Sequence, residues 1–565
     1  MDIRKRSFEP TAALDGLVED ELIRDILLSR GVRDRKDLEC GLRDLEHYES
    51  LKGIDQGAEL LAEAVAGGRK IGIAGDYDVD GMSGTALGVL ALTEMGAGQV
   101  AFHVPSRYDG GYGLGGQGIE HFKTCGTELI VTVDNGISSH EAIAQARELG
   151  MQVIVTDHHD CPETLPEADA VINPKQPGCA FPSKSLAGVG VLFYLLLAVR
   201  QKLTDMGHFA SDPPNMGSYL DLVALGTIGD VVQLDTNNRR IVKGALRRIR
   251  AGQMQTGIRA LMEVSGCDFS EASANTFAFT LGPRLNAATR IRLERNFALE
   301  CLMERDHGRA LELARQLEYC NRRRADHEQV MYEDAMEILG EGDPGSAVVV
   351  YKETFLLGIV GLLAGRLRAQ YGRPCFVFAP SGDGVNAVGS GRSAGGLPLS
   401  EVLSEIGAEH PGLIVKSGGH AQAAGATVDL SRLGEFAQAF RDKAASRPSG
   451  GGGEVIYTDG ELPYDRLSCD FASRLLDYGP YGQGFEEPCF DGVFEVDQAY
   501  VVKEHHLRLK LRRPEGFMSA MLFRATPEQL RLQKGSTVKV VYTLGVGHYN
   551  GSRRLEVKVS HLEPA

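Results

Sequence analysis

The sequence predicts an α/β protein with a parallel sheet first, a smaller α/β segment second and a small β-barrel last. From residue 70 to about 235, strand-like runs such as RKIGIAG (69–75) alternate with helix-like stretches such as GTALGVLALTEMG (84–96). That alternation is typical of parallel strands with helices on the faces of the sheet. Near the end, five short β-type runs crowd together between residues 498 and 560. Five close strands predict a barrel, and we expect an OB-fold.

The composition is that of an ordinary soluble globular protein. The chain has 565 residues, of which 43% are hydrophobic and 24% charged, and it has room for about three or four domains. The longest apolar run, Leu186 to Val199, is too short to span a bilayer and is expected to form a buried core helix. Ten scattered cysteines without a C-x-x-C pair, and no amino-terminal signal pattern, predict a cytoplasmic protein with reduced thiols and no zinc site.

The net charge of −16 argues against a protein that coats nucleic acid. It leaves open a protein that holds one strand in a local groove, because steering depends on the distribution of charge. Basic clusters occur at RRIVKGALRRIR (239–250), NRRRADH (321–327) and HHLRLKLRR (505–513). Each cluster taken alone is best explained as a solvated face.

Breaks in the pattern divide the chain into four predicted parts. A long helical stretch without proline ends at the turn-rich GEGDPGS (340–346), and a second α/β segment follows it. The glycine-rich SRPSGGGGE (446–454) is predicted to be a flexible linker before the barrel. The predicted parts are therefore a first domain at 1–299, a connecting helix at 300–340, a second domain at 341–447 and a barrel domain at 455–565.

Four acidic or histidine-bearing stretches each follow an apolar run that we interpret as a strand. They are DYDVD (76–80), DN (134–135), DHH (157–159) and Asp230, which follows LVALGTIG. The carboxyl ends of parallel strands form the ligand crevice of such a sheet. Extended backbone also places alternate side chains on one side, so that the carboxylates of 76–80 can converge. The four stretches are therefore predicted to meet.

Clustered carboxylates repel one another unless a cation lies between them. Aspartate with histidine and no cysteine suits Mn²⁺ or Mg²⁺ better than Zn²⁺. This set is large enough for two ions, an arrangement used for phosphoryl hydrolysis. Each stretch alone has a simpler explanation, as a helix cap, a turn or structural histidines. Four of them together favour a metal centre.

The motifs DYDVDG, VDNG, VTDHH and LGTIGDVV resemble the four successive motifs of the DHH phosphoesterases. The similarity is greater still to the bacterial single-strand-specific DNA exonucleases of that family. Stretches such as LGPRLNAATR (281–290), GSGRSAGG (389–396) and KSGGHAQAAGAT (416–427) agree with it. The resemblance implies a DHH domain, a long connecting helix, a DHH-associated domain with a GGH motif, and an OB-fold that binds DNA.

The resemblance also implies a set of site residues. Metal-binding and catalytic positions are matched by Asp78, Asp80, Asp134, His158, His159 and Asp230, with Asp76 and Asp157 as further ligands or as partners that orient them. Substrate-binding positions are matched by Arg107, Arg284, Asn286, Ser390, Arg392, Gly419 and His420. Arg392, Ser390 and Arg107 are the residues that we expect to bind a 5′-terminal phosphate. Leu356 departs from the family pattern, because a histidine is usual at that position.

The activity implied is a metal-dependent exonuclease that degrades single-stranded DNA from its 5′ end to 5′-mononucleotides, in repair and recombination. We expect two Mn²⁺ ions with Mg²⁺ as a substitute, a monomer, and a single-strand-binding protein and a helicase as partners. One alternative is a DHH phosphatase or nanoRNase that acts on short RNA or small phosphoesters, which the terminal barrel disfavours. Another is an inactive DNA-binding DHH module, which the complete set of acids and histidines disfavours.

Overall fold

The computed structural model describes residues 2–39, 41–108, 112–291, 295–447, 455–503, 505–549 and 552–565. In the first part of the chain the strands are β1 (Asp2–Lys5), β2 (Lys70–Ala74), β3 (Gln99–His103), β4 (Leu129–Val133), β5 (Gln152–Thr156) and β6 (Ala170–Ile172). Strands β2 to β6 form one parallel sheet in the order β3-β2-β4-β5-β6. The predicted parallel sheet is confirmed, and its strands all end at the same edge.

The first part of the chain also contains its own set of helices. They are α1 (Glu21–Ser29), α2 (Arg35–Leu38), α3 (Ile54–Ala66), α4 (Val79–Glu94), α5 (Gly116–Cys125), α6 (His140–Glu148), α7 (Gly188–Asp205), α8 (Leu220–Gly229), α9 (Thr236–Arg250), α10 (Thr256–Val264), a π-helix (Thr276–Leu281), α11 (Gly282–Arg290) and α12 (Phe297–Met303). Short 3₁₀ helices lie along the whole chain at Ala12–Leu14, Leu42–Asp44, Tyr48–Ser50, Met216–Tyr219, Phe269–Glu271, Leu430–Arg432, Tyr464–Arg466 and Gln529–Arg531.

The long apolar run is a core helix, as predicted. It forms most of α7, which is buried on nearly every side. Within the described ranges, no helix combines the length and the apolar character needed to cross a membrane.

The run before Asp230 is a helix and not a strand, so that prediction is wrong. Residues 220–229 form α8, in which every residue except Gly229 is buried. An element buried all round has no polar stripe, and the hydrophobic pattern alone cannot distinguish such a helix from a buried strand. Asp230 therefore lies at the carboxyl end of a helix, and it approaches the edge of the sheet from a different element.

The connecting helix is shorter than predicted. Residues 297–303 form the separate helix α12, and the long helix α13 (His307–Leu339) begins only after a break at 304–306. The Asp306 carboxylate caps α13 by accepting a hydrogen bond from the Arg309 backbone N–H at 2.8 Å. Aspartate stabilises a helix start in this way, and this cap marks the boundary that helical periodicity alone did not reveal.

The second part is a smaller α/β unit. Its elements are β7 (Val348–Tyr351), α14 (Val360–Tyr371), β8 (Cys375–Pro380), β9 (Asn386–Arg392), α15 (Leu399–Glu409), β10 (Ile414–Gly419), β11 (Ala423–Asp429) and α16 (Leu433–Ser446). The sheet order is β10-β11-β9-β8-β7, with β7 and β8 parallel and the other pairs antiparallel. The glycine-rich GSGRS sequence lies at the end of β9.

The last part is a closed barrel. Its elements are β12 (Val455–Thr458), α17 (Cys469–Asp477), β13 (Cys489–Val502), β14 (His506–Arg513), β15 (Gly516–Leu522), β16 (Thr537–Tyr549) and β17 (Ser552–Pro564). The barrel closes in the order β13-β14-β15-β17-β16, which confirms the predicted OB-type architecture. From residue 448 onward, the predicted linker lies outside the described residues.

The first and last parts share one hydrophobic core. Buried side chains of the barrel part, such as Leu462 and Phe485, belong to the same contiguous cluster as those around the parallel sheet. In addition, β1 pairs with β12 in parallel. The second part has two apolar clusters of its own. The chain therefore consists of one body made from its two ends and a separately packed unit between them.

Candidate metal centre

Three aspartates follow β2 at the edge of the sheet. Asp78 caps α4, because its carboxylate accepts hydrogen bonds from the backbone N–H groups of Asp80 at 3.0 Å and Gly81 at 3.1 Å. Asp80 lies on the first turn of α4, and its carboxylate accepts from Gly188 at 2.6 Å and from Val189 at 2.9 Å, at the start of α7. The helix start, and not strand alternation, brings Asp80 to the site.

Asp134 follows β4 in an uncommon backbone conformation. Its φ of 63° lies in the left-handed region, which non-glycine residues seldom adopt. Gly188 packs against it so closely that a Cβ on this glycine would lie 2.5 Å from the Asp134 Cβ. Strained residues of this kind persist where the surrounding structure fixes them, as at functional sites. The Asp134 Oδ1 atom is 3.0 Å from His158 Nε2.

Asp157 holds the histidine pair that follows β5. Its carboxylate accepts hydrogen bonds from the backbone N–H groups of Ile137 at 2.9 Å and His158 at 2.7 Å. The same carboxylate lies 2.7 Å from His159 Nδ1. Burial opposes protonation of this imidazole, but the hydrogen bond to Asp157 raises the pKa of His159 to about 9. Asp157 therefore orients His159, and it does not belong to the groups of converging ligand atoms among the described residues.

The remaining predicted ligands converge in three overlapping groups. In each group the ligand atoms lie within 4.8 Å of one another, and the groups are Asp134, His158 and His159; Asp80, His158 and Asp230; and Asp76, Asp78 and Asp134. In the part of the chain that the structure describes, Asp76 Oδ2, Asp134 Oδ1 and His158 Nε2 are buried without a hydrogen-bond partner. Buried polar atoms are normally paired, so these three atoms indicate an additional ligand.

The electrostatics of the centre favour a cation. Burial and the neighbouring carboxylates raise the pKa values of Asp80 and Asp134 well above the usual range for aspartate. Burial and the charge of Asp78 raise the pKa values of Asp76 and Asp230 to about 7. Burial and the neighbouring His159 lower the pKa of His158 to about 4, so its imidazole is neutral, as in metal-ligating histidines. A divalent cation would remove the repulsion among the carboxylates.

A cavity of about 450 Å³ opens on the centre from the side of the second part. It is lined by His158, His159 and Asp230 from the first part and by His420 from the second. His420 follows Gly419 at the end of β10, and its backbone N–H donates to the Ala423 carbonyl at 2.8 Å. The predicted loop with the GGH motif therefore faces the metal centre.

Four arginines cluster beside the centre, between the first and second parts. Burial and the charges of Arg107, Arg324 and Arg392 lower the pKa of Arg290 to about 10. Arg107 lies over the Tyr77 ring at 3.8 Å, and Arg392 Nη1 donates to Ser390 Oγ at 3.1 Å. This arrangement brings the predicted Arg107, Ser390 and Arg392 together. Residues 109–111, in the glycine-rich loop after Arg107, lie outside the described residues.

Sequence reasoning missed two members of this cluster. Arg290 ends the LGPRLNAATR motif, and Arg324 belongs to the basic NRRRADH stretch on α13. Taken as an exposed helix face, that stretch gave no reason to single out Arg324. Within the described residues, the Nε atoms of Arg107 and Arg324 are buried without a hydrogen-bond partner, although Arg324 Nη1 donates to the Glu328 carboxylate at 2.7 Å. Several guanidiniums held so close together favour an anionic ligand.

Arg284 and Asn286 occupy different environments. Arg284 donates to Glu318 at 2.7 Å and to the Thr280 carbonyl at 2.6 Å, so its guanidinium is already paired. Asn286 lines a second cavity of about 480 Å³, together with Arg290, Arg324 and the exposed ring of Phe279. The structure thus separates Arg284 from the arginine cluster and places Asn286 next to it.

The comparisons with known proteins agree with this architecture. Residues 70–227 match the model of the DHH family, N-terminal domain; residues 345–446 match the DHHA1 domain; and residues 458–561 match the RecJ OB domain. The fold and the clustered acids and histidines therefore define a DHH-family protein.

Relatives identify the branch of the family. The chain is 41% identical to the single-stranded-DNA-specific exonuclease RecJ of Dickeya dadantii, over 100% of this chain and 99% of the relative. It is 38% identical to the protein of the same name from Escherichia coli, with the same coverage. The chain belongs to the RecJ family.

A solved relative contains a metal. The structure of RecJ from Thermus thermophilus in complex with Mn²⁺ matches 100% of this chain and 80% of that chain, with a TM-score of 0.82 and 31% identity. The Mg²⁺ complex of the Thermus protein matches with a TM-score of 0.77 and 28% identity. In this chain, the three groups of carboxylates and imidazoles are the candidate ligands.

Proposed function

We propose that the chain is a metal-dependent exonuclease that degrades single-stranded DNA from its 5′ end and releases 5′-mononucleotides. The observation that carries the proposal is the placement of an arginine cluster beside three converging groups of candidate metal ligands. A phosphate-binding region next to a metal centre is what hydrolysis near a phosphorylated end requires.

The site fits divalent cations. Its donors are carboxylate oxygens and imidazole nitrogens, a set that suits Mn²⁺ or Mg²⁺. We assign two ions to Asp76, Asp78, Asp80, Asp134, His158, His159 and Asp230, with Asp157 holding His159 in place. When bound, such ions act as Lewis acids toward the phosphoryl oxygen and lower the pKa of coordinated water.

The other residues bind and orient the strand. Arg107, Arg290 and Arg392, with the Ser390 hydroxyl, are suited to hold the terminal phosphate through several charge-assisted hydrogen bonds. His420 lines the opposite wall of the metal cavity and can contact the scissile phosphate. Phe279 and Asn286 offer a ring face and an amide beside the arginines, where a nucleobase can stack and accept or donate hydrogen bonds.

The barrel supplies an entry surface for one strand. On β14, Arg508, Lys510 and Arg512 alternate with buried leucines, so the cationic side chains face outward. The exposed rings of Tyr500 and Phe517 lie on the neighbouring strands β13 and β15. Cations interleaved with aromatic rings are typical of surfaces that bind single strands without sequence preference. We further propose that the chain works as a monomer with a single-strand-binding protein and a helicase.

One experiment tests the function. Single-stranded DNA labelled at either end is incubated with the protein in Mn²⁺, in Mg²⁺ or in chelator, and the products are identified over time. We expect mononucleotides that carry a 5′-phosphate, release of the 5′ label first, resistance of blunt duplex DNA, and no reaction in chelator. Early release of the 3′ label would refute the polarity. Hydrolysis confined to short RNA would favour the phosphatase or nanoRNase alternative.

A further inference from the structure

A loop from the last part of the chain contacts the segment that follows Asp230. We call residues 230–235 the Asp230 loop and residues 481–485 the Gln483 loop. The backbone N–H of Leu234 donates to the Gln483 carbonyl at 2.7 Å. The Gln483 loop also closes on itself, through backbone hydrogen bonds of 2.9 and 3.2 Å between Gly482 and Phe485. A compact turn from the barrel part is thus bonded to the segment next to a candidate metal ligand.

Two glycines allow the loops to pack without a gap. A Cβ on Gly482 would lie 2.8 Å from Leu234 Cδ1, and a Cβ on Gly484 would lie 2.5 Å from Gln233 Cγ. Both distances are shorter than real Cβ contacts. Gly484 also has a φ of 72°, which disfavours side chains on backbone grounds. The interface between the two loops therefore depends on the absence of side chains at these positions.

The Gln483 loop is anchored to the first part of the chain. The Phe485 ring is buried, and the Arg239 guanidinium of α9 lies 4.0 Å above it. The Tyr481 ring stacks on Phe485 with 5.4 Å between the centroids. Directly after the loop, the Glu486 carbonyl accepts a hydrogen bond of 2.7 Å from Nε of Arg30, the residue that follows α1. Because it is held from several sides, the loop forms a rigid support.

The Asp230 loop needs such a support. Val231 has a φ of 58°, which is a rare conformation for a β-branched residue, and its side chain is 64% exposed. An exposed side chain buries little apolar surface, so Val231 does not stabilise its own strained backbone. Strain of this kind persists only when neighbouring groups fix the conformation. The Val231 backbone N–H donates to the Ile228 carbonyl at 3.3 Å. Further along the loop, the contacts that help to fix it are the Leu234–Gln483 hydrogen bond and the bond of 2.9 Å from Asn238 Nδ2 to the Gln233 carbonyl.

We propose that the Gln483 loop is a positioning element of the metal centre. By fixing residues 231–234, it holds the Asp230 carboxylate 3.5 Å from His158 Nε2, where both can bind one ion. This inference rests on the proposed role of Asp230 as a metal ligand. It gives the barrel part of the chain a contribution to metal affinity that is separate from its binding of DNA.

The test compares two glycine substitutions in the full chain. Gly484→Val places a side chain against Gln233, whereas Gly535→Val introduces the same kind of backbone strain at a φ of 87° with no atom within 4 Å. Titration calorimetry measures the binding of Mn²⁺ alone, and DNA affinity is measured in chelator. We expect Gly484→Val to weaken Mn²⁺ binding by about tenfold or more, as loss of a group that orients a metal ligand does. Because Tyr481, Gly482 and Gln483 also line the cavity beside Asn286, DNA affinity in chelator should change, but by a smaller factor than Mn²⁺ affinity.

Gly535→Val is expected to bind Mn²⁺ as the wild type does, even if its melting temperature falls. Equal Mn²⁺ affinities of the two valine variants would overturn the inference. If Gly484→Val fails to fold, as judged by circular dichroism, Gly484→Ala takes its place against Gly535→Ala.

Asp230→Asn in the same titration separates the proposed metal role of Asp230 from the proposed role of the Gln483 loop. Wild-type affinity in Asp230→Asn rejects the metal role of Asp230 and the inference with it. Weak binding there with normal binding in Gly484→Val rejects the loop's role alone.

Discussion

His158 Nε2 and Asp134 Oδ1 lie 3.0 Å apart, yet they are not aligned as a hydrogen bond, and across the described residues neither atom has a hydrogen-bond partner. Leaving a buried polar atom unpaired costs about 1–3 kcal/mol. Two such atoms that face the same space indicate that one additional ligand pairs with both of them. A divalent cation does this, because a neutral imidazole and a carboxylate can bind one ion together.

We expect Asp134→Asn to remove most activity while it stabilises the metal-free protein. Asparagine keeps the shape of aspartate and tolerates the left-handed backbone at this position. It also removes a charge that the neighbouring carboxylates, Asp80 foremost, repel. Turnover should fall by about 100-fold or more, and the melting temperature in chelator should rise. A variant that is less stable in chelator would show that this carboxylate has a structural role instead.

Metal binding should stabilise the wild-type fold. A ligand that binds only the folded state adds about 2.7 kcal/mol at 100 times its dissociation constant. Melting curves with increasing Mn²⁺ should therefore move steadily upward for the wild type and much less for Asp134→Asn. KCl at the same ionic strength controls for screening of surface charge. Identical curves for the wild type and the variant would contradict the assignment of this centre.

Arg392→Ala should abolish a preference for 5′-phosphorylated ends. The terminal phosphate carries nearly one charge more than an internal phosphate, and the clustered guanidiniums can interact with that charge. The ratio of kcat/KM for 5′-phosphate to that for 5′-hydroxyl oligonucleotides is the measurement. Arg366→Ala is the control, because Arg366 lies on α14 over the Tyr332 ring. If Arg392→Ala slows both substrates by the same factor, Arg392 contacts the strand and not its end.

Arg508→Ala should weaken binding of single-stranded DNA and reduce its salt dependence. Each phosphate contact on a single strand contributes a slope of about −0.7 to log K against log salt concentration. The slope of the variant should be smaller than that of the wild type by about this amount. Arg35→Ala, on α2, is the control, because it removes the same positive charge from an exposed position outside the barrel. An unchanged slope in Arg508→Ala would place the strand on another face of the barrel.

Asp459→Ala should be strongly destabilising. The guanidinium of Arg30 and the Asp459 carboxylate, 0% and 2% exposed, form two hydrogen bonds of 2.7 and 2.8 Å between the first and last parts. Removing one partner of a buried pair leaves the other charge unpaired and costs about 3–5 kcal/mol. The exposed Arg35–Glu39 pair is the control, where Glu39→Ala should cost less than about 1 kcal/mol. Denaturant unfolding measures both, and similar losses would contradict the prediction.

Strands and helices could be predicted from the sequence where the local pattern of apolar and polar residues determines the secondary structure. The strands before Asp76, Asp134 and Asp157 carry short apolar runs bounded by polar residues, and each lies where the sequence places it. The element before Asp230 could not be predicted correctly, because α8 is buried on nearly all sides and shows no polar stripe. The candidate ligands nonetheless converge in three groups, because the motif residues meet at the same edge whether a strand or a helix carries them.

Pairing across the fold could not be predicted from local pattern. Arg284 belongs to a motif of the family, but its guanidinium pairs with Glu318 of α13, 34 residues later in the chain. Arg324 looks like one of several exposed helix arginines, and only tertiary packing selects it for the cluster with Arg290. The support of the Asp230 loop by Gln483 likewise depends on a contact between segments about 250 residues apart in the sequence.

The core shared by the two ends of the chain has a consequence for synthesis on the ribosome. Residues around the parallel sheet leave the ribosome long before Leu462 and Phe485, against which they pack. The central α/β unit, with apolar clusters of its own, can fold while translation continues. The body that holds the candidate metal ligands can close only when the barrel residues emerge. A partly synthesised chain is therefore expected to remain unable to cut DNA until the barrel residues have been translated.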